Sequence, residues 1–499
     1  MDLTILVLIC IIYAIVMFID FFFKSCMMLP YLDFLSNTGI SVKFFSIKFH
    51  TNAFNRFISR HSSKLPNIYK NSFKFGFYIT ILLLPISLIV MILSLFSGSS
   101  SDTIKNQNTN LISDNKNDES GNGAHLEILL PGVNLPLDQI GYYVISLLIC
   151  SVVHESGHGI AAVLEDIPVS GFGLNLIFIL PIAYTQIDTD HLQTARLWKK
   201  LKIFSAGIWN NLILAGWCYI LLLLLPIVLL PIFNSGNAVF ITKIKQGAPI
   251  KGENGLYVGD SVYSINDCKV SNEDEWLKCL TLSLKIHPAY CVSEDFIHEN
   301  DESVHEIEHQ KDGTIECCSK SNPAVNCFEN FDEERLPQYV CLNIRNAIEH
   351  SKAYCQESLT CTEHISCVKP LLANTSTIIH IKRRNRVKDF VYYGHPIDII
   401  GSVEISQFIP KTKTFSPAFA DSIALLLKYL VVFSSGLAIV NVIPCYGLDG
   451  QHLINAIISN LPSKYFSKGR KEVLSISINL VGSLTLITII IKILWTTFL

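Results

Sequence analysis

The tightest group of residues able to do chemistry is His154-Glu155-Ser156-Gly157-His158, an H-E-x-x-H pattern. Side chains four apart on a helix share one face. Both imidazoles can therefore hold one zinc ion while Glu155 acts as general base. Fifteen histidines in 499 residues make one match modest evidence, and the chain repeats the pattern at His305-Glu306-Ile307-Glu308-His309. The surroundings separate the two copies. The second sits among Glu299, Asp301, Glu302, Lys311 and Asp312 with little apolar sequence nearby, and reads as a solvated acidic face or loop. The first lies inside the apolar run from Ile140 to Val163. An ionisable group at membrane depth costs roughly 2.5 to 3.5 kcal/mol on insertion scales, so three in one span mark a site rather than a packing device.

Two histidines leave zinc needing a third protein ligand and an exchangeable water, the pattern of a catalytic centre. Asp449, in Asn441-Val442-Ile443-Pro444-Cys445-Tyr446-Gly447-Leu448-Asp449-Gly450, is the leading candidate, with Cys445, His452 and Cys150 as competitors. A carboxylate beyond Pro444 and beside Gly450 stands on irregular backbone, which at membrane depth lines a cavity. Cys150 and Cys445 fit the more common role of small buried hydrophobes.

The elements that must position these groups are apolar. Half of the residues are hydrophobic and 16% charged, and the mean hydropathy is positive, as in an integral membrane protein. The net charge of -3 and the scatter of basic residues beside apolar runs argue against a nucleic-acid partner. Spans are expected at Leu3–Phe23, Gly76–Phe96, Ile140–Val163, Ile203–Phe233, Ile423–Val442 and Val473–Leu499. Gly171 to Thr185, too short to cross and broken by Pro181, reads as a re-entrant segment or hairpin. Lys24 to Lys74 holds eight Lys or Arg against Asp33 alone, which places that loop in the cytosol by the positive-inside rule. Spans three and five then run in the same direction, and their polar ends, with His154, His158 and Asp449, fall at one depth near the cytosolic side.

The chain divides on this reading into two helices with a basic loop (1–97), a disordered lumenal loop (98–138), a membrane core (139–233), a lumenal domain (234–416) and two last spans (417–499). Gly255 to Asn266 in the lumenal domain resembles the glycine-turn and strand core of PDZ domains, with a helix over Glu273–Leu280 and closing strands within Thr377–Phe408. Ten of the fifteen cysteines fall between Cys268 and Cys367, an insertion whose clustering points to disulfides in an oxidising compartment. Asn374-Thr375-Ser376 is a glycosylation sequon on the same side.

The fold class is thus a polytopic α-helical membrane protein of about six spans plus a short hairpin, with a PDZ-like α+β domain. The HESGH span, Ser205-Ala206-Gly207-Ile208-Trp209-Asn210-Asn211, the PDZ-like segment with its cysteine-rich insertion, and the LDG-containing stretch occur in the order found in eukaryotic site-2 proteases, which the chain resembles over most of Ile140–Asn455. The resemblance implies an intramembrane zinc metalloprotease. It maps metal ligands onto His154, His158 and Asp449, the catalytic base onto Glu155, and a substrate-positioning N-x-x-P onto Asn441 and Pro444. It further implies one Zn2+, a place in the Golgi or endoplasmic reticulum membrane, and membrane-spanning substrates already cut on the lumenal side, such as sterol regulatory element-binding protein precursors. A transporter using buried histidines for ions is the alternative, and it leaves the PDZ-like segment unexplained.

Overall fold

The structure, a computed structural model, describes residues 3–96 and 137–498, apart from 249, 251–254, 286–287, 310–314, 319–324, 332–336, 356–360, 362–363, 373–376, 385, 387, 413 and 463–465. The loop expected over 98–138, as far as Pro136, and the Asn374 sequon lie outside the described residues. Two compact units emerge: Met1–Leu223 with Leu425–Leu499, and Leu224–Ala424.

Among the described residues six helices are long and apolar enough to cross a membrane, as the hydropathy predicts. The chain opens with α1 (Leu3–Ser25), α2 (Leu29–Thr38), a hairpin of β1 (Ile40–Lys43) and β2 (Ser46–Thr51), α3 (Ala53–Lys64) and α4 (Pro66–Phe96). Next come α5 (Ile140–Leu164), a hairpin of β3 (Val169–Ile177) and β4 (Leu180–Ile187), α6 (Thr189–Thr194) and α7 (Leu197–Val228). The fourth span is shifted from its expected bounds. α7 begins at Leu197, because its basic first turns are as helical as the apolar part, and it runs through Pro226 to end at Val228, short of Pro231.

The segment Gly171–Thr185 forms most of the second hairpin, and residues 40–51 enlarge it into an antiparallel sheet of order β1-β2-β3-β4. Its two hairpin turns place Phe45 and Phe178 at positive φ, 49° and 52°, an uncommon backbone for aromatic residues. Stacking compensates. The two rings lie 5.0 Å apart, and the Tyr13 hydroxyl donates to the Phe178 carbonyl at 2.8 Å. Tyr13 stands about twelve residues, roughly 18 Å of helix, before the end of α1 at Ser25. Both hairpin tips therefore reach far along the length of an apolar helix.

The second unit contains β5 (Phe233–Asn234), β6 (Val239–Ile244), β7 (Ser261–Ile265), β8 (Cys268–Lys269) and α8 (Glu273–Leu282), the last N-capped by Asn272, which accepts from the Glu275 N–H at 2.8 Å. Then come β9 (Ala289–Ser293), α9 (Glu294–Asn300), β10 (Ser303–His309), β11 (Ile315–Cys318), β12 (Val325–Asn330), β13 (Tyr339–Asn343), α10 (Ile344–Glu349), β14 (Ala353–Cys355) and β15 (Ile365–Pro370). The unit closes with β16 (Thr377–Arg383), β17 (Phe390–Gly394), α11 (Pro396–Ile400), β18 (Val403–Ser406) and β19 (Ile409–Pro410). One sheet, β17-β16-β7-β6-β18 with β8 on β7, packs Trp276 and Leu280 of α8 into a core with Val262, Ile265, Ile379 and Ile381. The intervening segment builds its own sheet, β13-β12-β15-β9-β14, over Tyr290, Phe328 and Leu342.

All ten cysteines of this stretch are paired: Cys268–Cys279, Cys291–Cys361, Cys317–Cys327, Cys318–Cys341 and Cys355–Cys367. The second H-E-x-x-H lies on a strand, β10, rather than in a loop. After β19 the chain forms α12 (Pro417–Val442), α13 (Asp449–Ser459) and α14 (Lys468–Phe498).

Candidate metal centre

The H-E-x-x-H residues stand about four to five turns after the start of α5, where both histidines are buried to 7% exposure. α5 approaches α7 closely because small residues face each other. A Cβ on Gly157 would lie 2.7 Å from the Ala206 carbonyl oxygen, and one on Gly207 would meet the imidazoles themselves, 2.7 Å from His154 Nε2 and closer still to His158 Nε2. The SAGIWNN stretch thus supplies the space in which the two rings sit.

Asp449 arrives from the opposite side as the first residue of α13. Between α12 and α13 the backbone is irregular, with Gly447 at φ +87° and the Gly447 N–H donating to Gln451 Oε1 at 3.0 Å. Gly450 cannot carry a side chain, since a Cβ would collide with the carbonyl oxygens of Val442 and Ile443. That close turn folds Asp449 back over the end of α12. Its Oδ2 lies 2.9 Å from His154 Nε2 and 3.1 Å from His158 Nε2, and the two Nε2 atoms are 3.1 Å apart.

These three donors could hold a metal ion. Ligand atoms bonded to one tetrahedral zinc at about 2.0–2.1 Å stand roughly 3.3 Å from each other, so the triangle has the right size. The outer nitrogens agree. His158 Nδ1–H donates to the Ile203 carbonyl at 2.7 Å, leaving Nε2 as a lone pair directed at the other donors. His154 Nδ1 lies 3.3 Å from the Asn211 amide nitrogen, while Asn211 Oδ1, fully buried, has no partner. A half-turn of that amide lets Nδ1–H donate to Oδ1 and turns His154 Nε2 into a second lone pair. Each ring is then fixed in the tautomer a metal requires.

The other candidate ligands make different contacts. Cys150 is buried against Cys218 and Leu430. The Cys445 sulfur accepts from Ser483 of α14 at 3.3 Å. His452, one turn after Asp449, stacks on Phe204 with centroids 5.3 Å apart. Asn441 ends α12, and Pro444 packs its carbonyl against Gly482 of α14.

A cavity of about 520 Å³ opens on the donors, lined by Glu155, His158, Asp449, His452, Thr185 and Ile187 among others. Strand β4 runs beside it. Ser151 accepts from the Ala183 N–H at 2.7 Å, and the Thr185 hydroxyl donates to the Glu155 carbonyl at 2.8 Å. Among the described residues β4 pairs only with β3, so its outer edge faces α5 and the cavity. Since Ala183 points its N–H outward, alternation turns Thr185 and Ile187 outward as well, while Pro181 has no N–H to offer. Two outward-facing peptide positions of the edge thus border the cavity.

Residues 142–486 match the sequence profile of peptidase family M50. The chain belongs to that family. It is also 25% identical over 402 residues to a membrane-bound transcription factor site-2 protease homolog of Arabidopsis thaliana, a match covering 70% of this chain and 76% of that one. The resemblance read from the ordered motifs is therefore shown, and the protein is a multi-pass membrane metallopeptidase. Sequence reasoning did not find Asn211, Ile203 and Ser151 as partners of the site; only the SAGIWNN motif, which contains Asn211, drew notice.

Proposed function

We propose that the peptidase hydrolyses a peptide bond within a membrane-spanning helix, using one zinc ion held by His154, His158 and Asp449 and using Glu155 as general base. The convergence of three donor atoms within 3.1 Å, on an apolar helix and beside a free strand edge, carries this reading. Zinc bound there supplies Lewis-acid polarisation of the scissile carbonyl and lowers the pKa of a water. Glu155, in the cavity wall, takes the proton of the attacking water and returns it to the leaving nitrogen. A peptide bond in an intact helix is shielded by its own hydrogen bonds, so the substrate must unwind. Thr185 and Ile187 offer the unwound segment backbone partners by strand addition. Asn441, near the end of α12, and Pro444, in the turn that leads to Asp449, are the residues that would position the substrate backbone.

The substrates of this reading are membrane-anchored transcription factor precursors, such as sterol regulatory element-binding protein precursors, cut first on the lumenal side and released here into the cytosol. The Arabidopsis relative's name supports that class. The basic residues between Lys24 and Lys74 support a cytosolic position for that loop, and the paired cysteines support an oxidising lumen, of the endoplasmic reticulum or Golgi, as the place of residues 234–416 with their PDZ-like segment and the Asn374 sequon. A cellular cleavage assay on a membrane-tethered reporter tests the assignment. Glu155→Gln should lower cleavage by at least about 10²-fold, and Glu306→Gln should leave it unchanged; the reverse pattern refutes the site.

A further inference from the structure

Helix α3 has a surface that the peptidase reaction does not use. Its inner face is small: Ile58 and Ser62 are buried, and the Asn55 side chain donates to the Val169 and Ser170 carbonyls at 3.1 and 3.2 Å. The rest is open. Phe54, Phe57 and, just past the helix end, Leu65 are 56, 65 and 53% exposed along one stripe. Arg56, Arg60 and Lys64, spaced four apart, form a second exposed stripe beside the first. Among the described residues none of these three cations has a carboxylate partner within ion-pair distance, and no acidic residue occurs in the sequence between Asp33 and Asp102. The aromatic stripe is preset, since Phe57 stacks on His61, whose ring nitrogen meets the Tyr69 hydroxyl at 2.7 Å.

Position selects the partner. α3 ends at Lys64 and the apolar helix α4 starts at Pro66, with Lys70 and Lys74 exposed on its first turns. A helix joined so closely to a membrane span cannot stand far from the bilayer surface. An apolar stripe flanked by a basic one is the arrangement of a helix lying in the headgroup plane. We propose that α3 docks on the bilayer surface, with Phe54, Phe57 and Leu65 inserted among the acyl chains and Arg56, Arg60 and Lys64 bound to anionic phospholipid headgroups. α3 packs on α5, the H-E-x-x-H helix, and on β3, so the lipid contact bears on the elements that hold the metal centre and the strand edge.

The test is amide hydrogen exchange of the full chain in two kinds of nanodisc, phosphatidylcholine alone and phosphatidylcholine with phosphatidylserine. Exchange over residues 53–64 should slow by about tenfold in the anionic discs. The variant R56Q/R60Q/K64Q should exchange alike in both, and F54S/F57S should exchange faster in both. Every substituted side chain is exposed, and unchanged exchange in α5 reports that the fold is kept. Equal exchange of the native chain in the two discs overturns the proposal, as does a lipid difference that survives in R56Q/R60Q/K64Q. Slowing by inorganic phosphate added to phosphatidylcholine discs would also overturn it, because the anion would then be free phosphate rather than the bilayer.

Discussion

At the scale of single residues the centre rests on what holds the imidazoles as much as on the donors themselves. His158 is oriented by a main-chain carbonyl that no substitution removes, whereas His154 depends on the Asn211 side chain. Asn211→Leu keeps the volume and removes the partner. It should weaken zinc binding by about 10- to 100-fold, read by chelator competition on the purified protein, while the fold survives. H-E-x-x-H and L-D-G are legible as patterns, because each packs its chemistry into a few adjacent residues. Asn211 is not, since its distance from His154 is set by how α5 crosses α7, and that crossing depends on Gly157 and Gly207 facing the right neighbours. The second histidine pair shows the converse: His305 and His309 match the letters, but on β10 the spacing has a different meaning.

At the scale of elements, the proposed function gives β4 the task of holding an unwound substrate. Its outward Thr185 and Ile187 border the cavity. Thr185→Pro removes an outward N–H from the edge, and Thr185→Val removes only the hydroxyl bond to the Glu155 carbonyl. Cleavage by reconstituted protein should fall about tenfold or more in the first and much less in the second, with zinc content unchanged in both. The six apolar helices could be read from hydropathy runs alone, since length and apolarity suffice for that reading. The four-stranded sheet could not. Strands β1 and β2 are short, their turn is Phe44-Phe45 rather than Asn-Gly, and β3, the other partner of β2, lies over a hundred residues away.

At the scale of the molecule, the two units are stabilised by different means. The unit built on the apolar helices carries only free cysteines among those described, and the other carries all five disulfides. Each native disulfide typically contributes about 2–5 kcal/mol. A membrane-impermeant reductant that reaches the disulfides should therefore lower the unfolding temperature of residues 224–424, followed by proteolysis within that range, while zinc stays bound. The clustering of ten cysteines made bonding legible, but the pairing follows from strand registry, such as Cys327 opposite Cys341 while each bonds to a third strand. The proposed function requires that chemistry occur inside a substrate helix at the Glu155 centre. The direct measurement is mass spectrometric mapping of the cut made by purified, zinc-loaded protein in proteoliposomes containing a single-span substrate. New termini are expected within the apolar span, and none with Glu155→Gln. Cutting confined to the substrate's extramembrane segments, or cutting within the span that persists in Glu155→Gln, would contradict the proposed function.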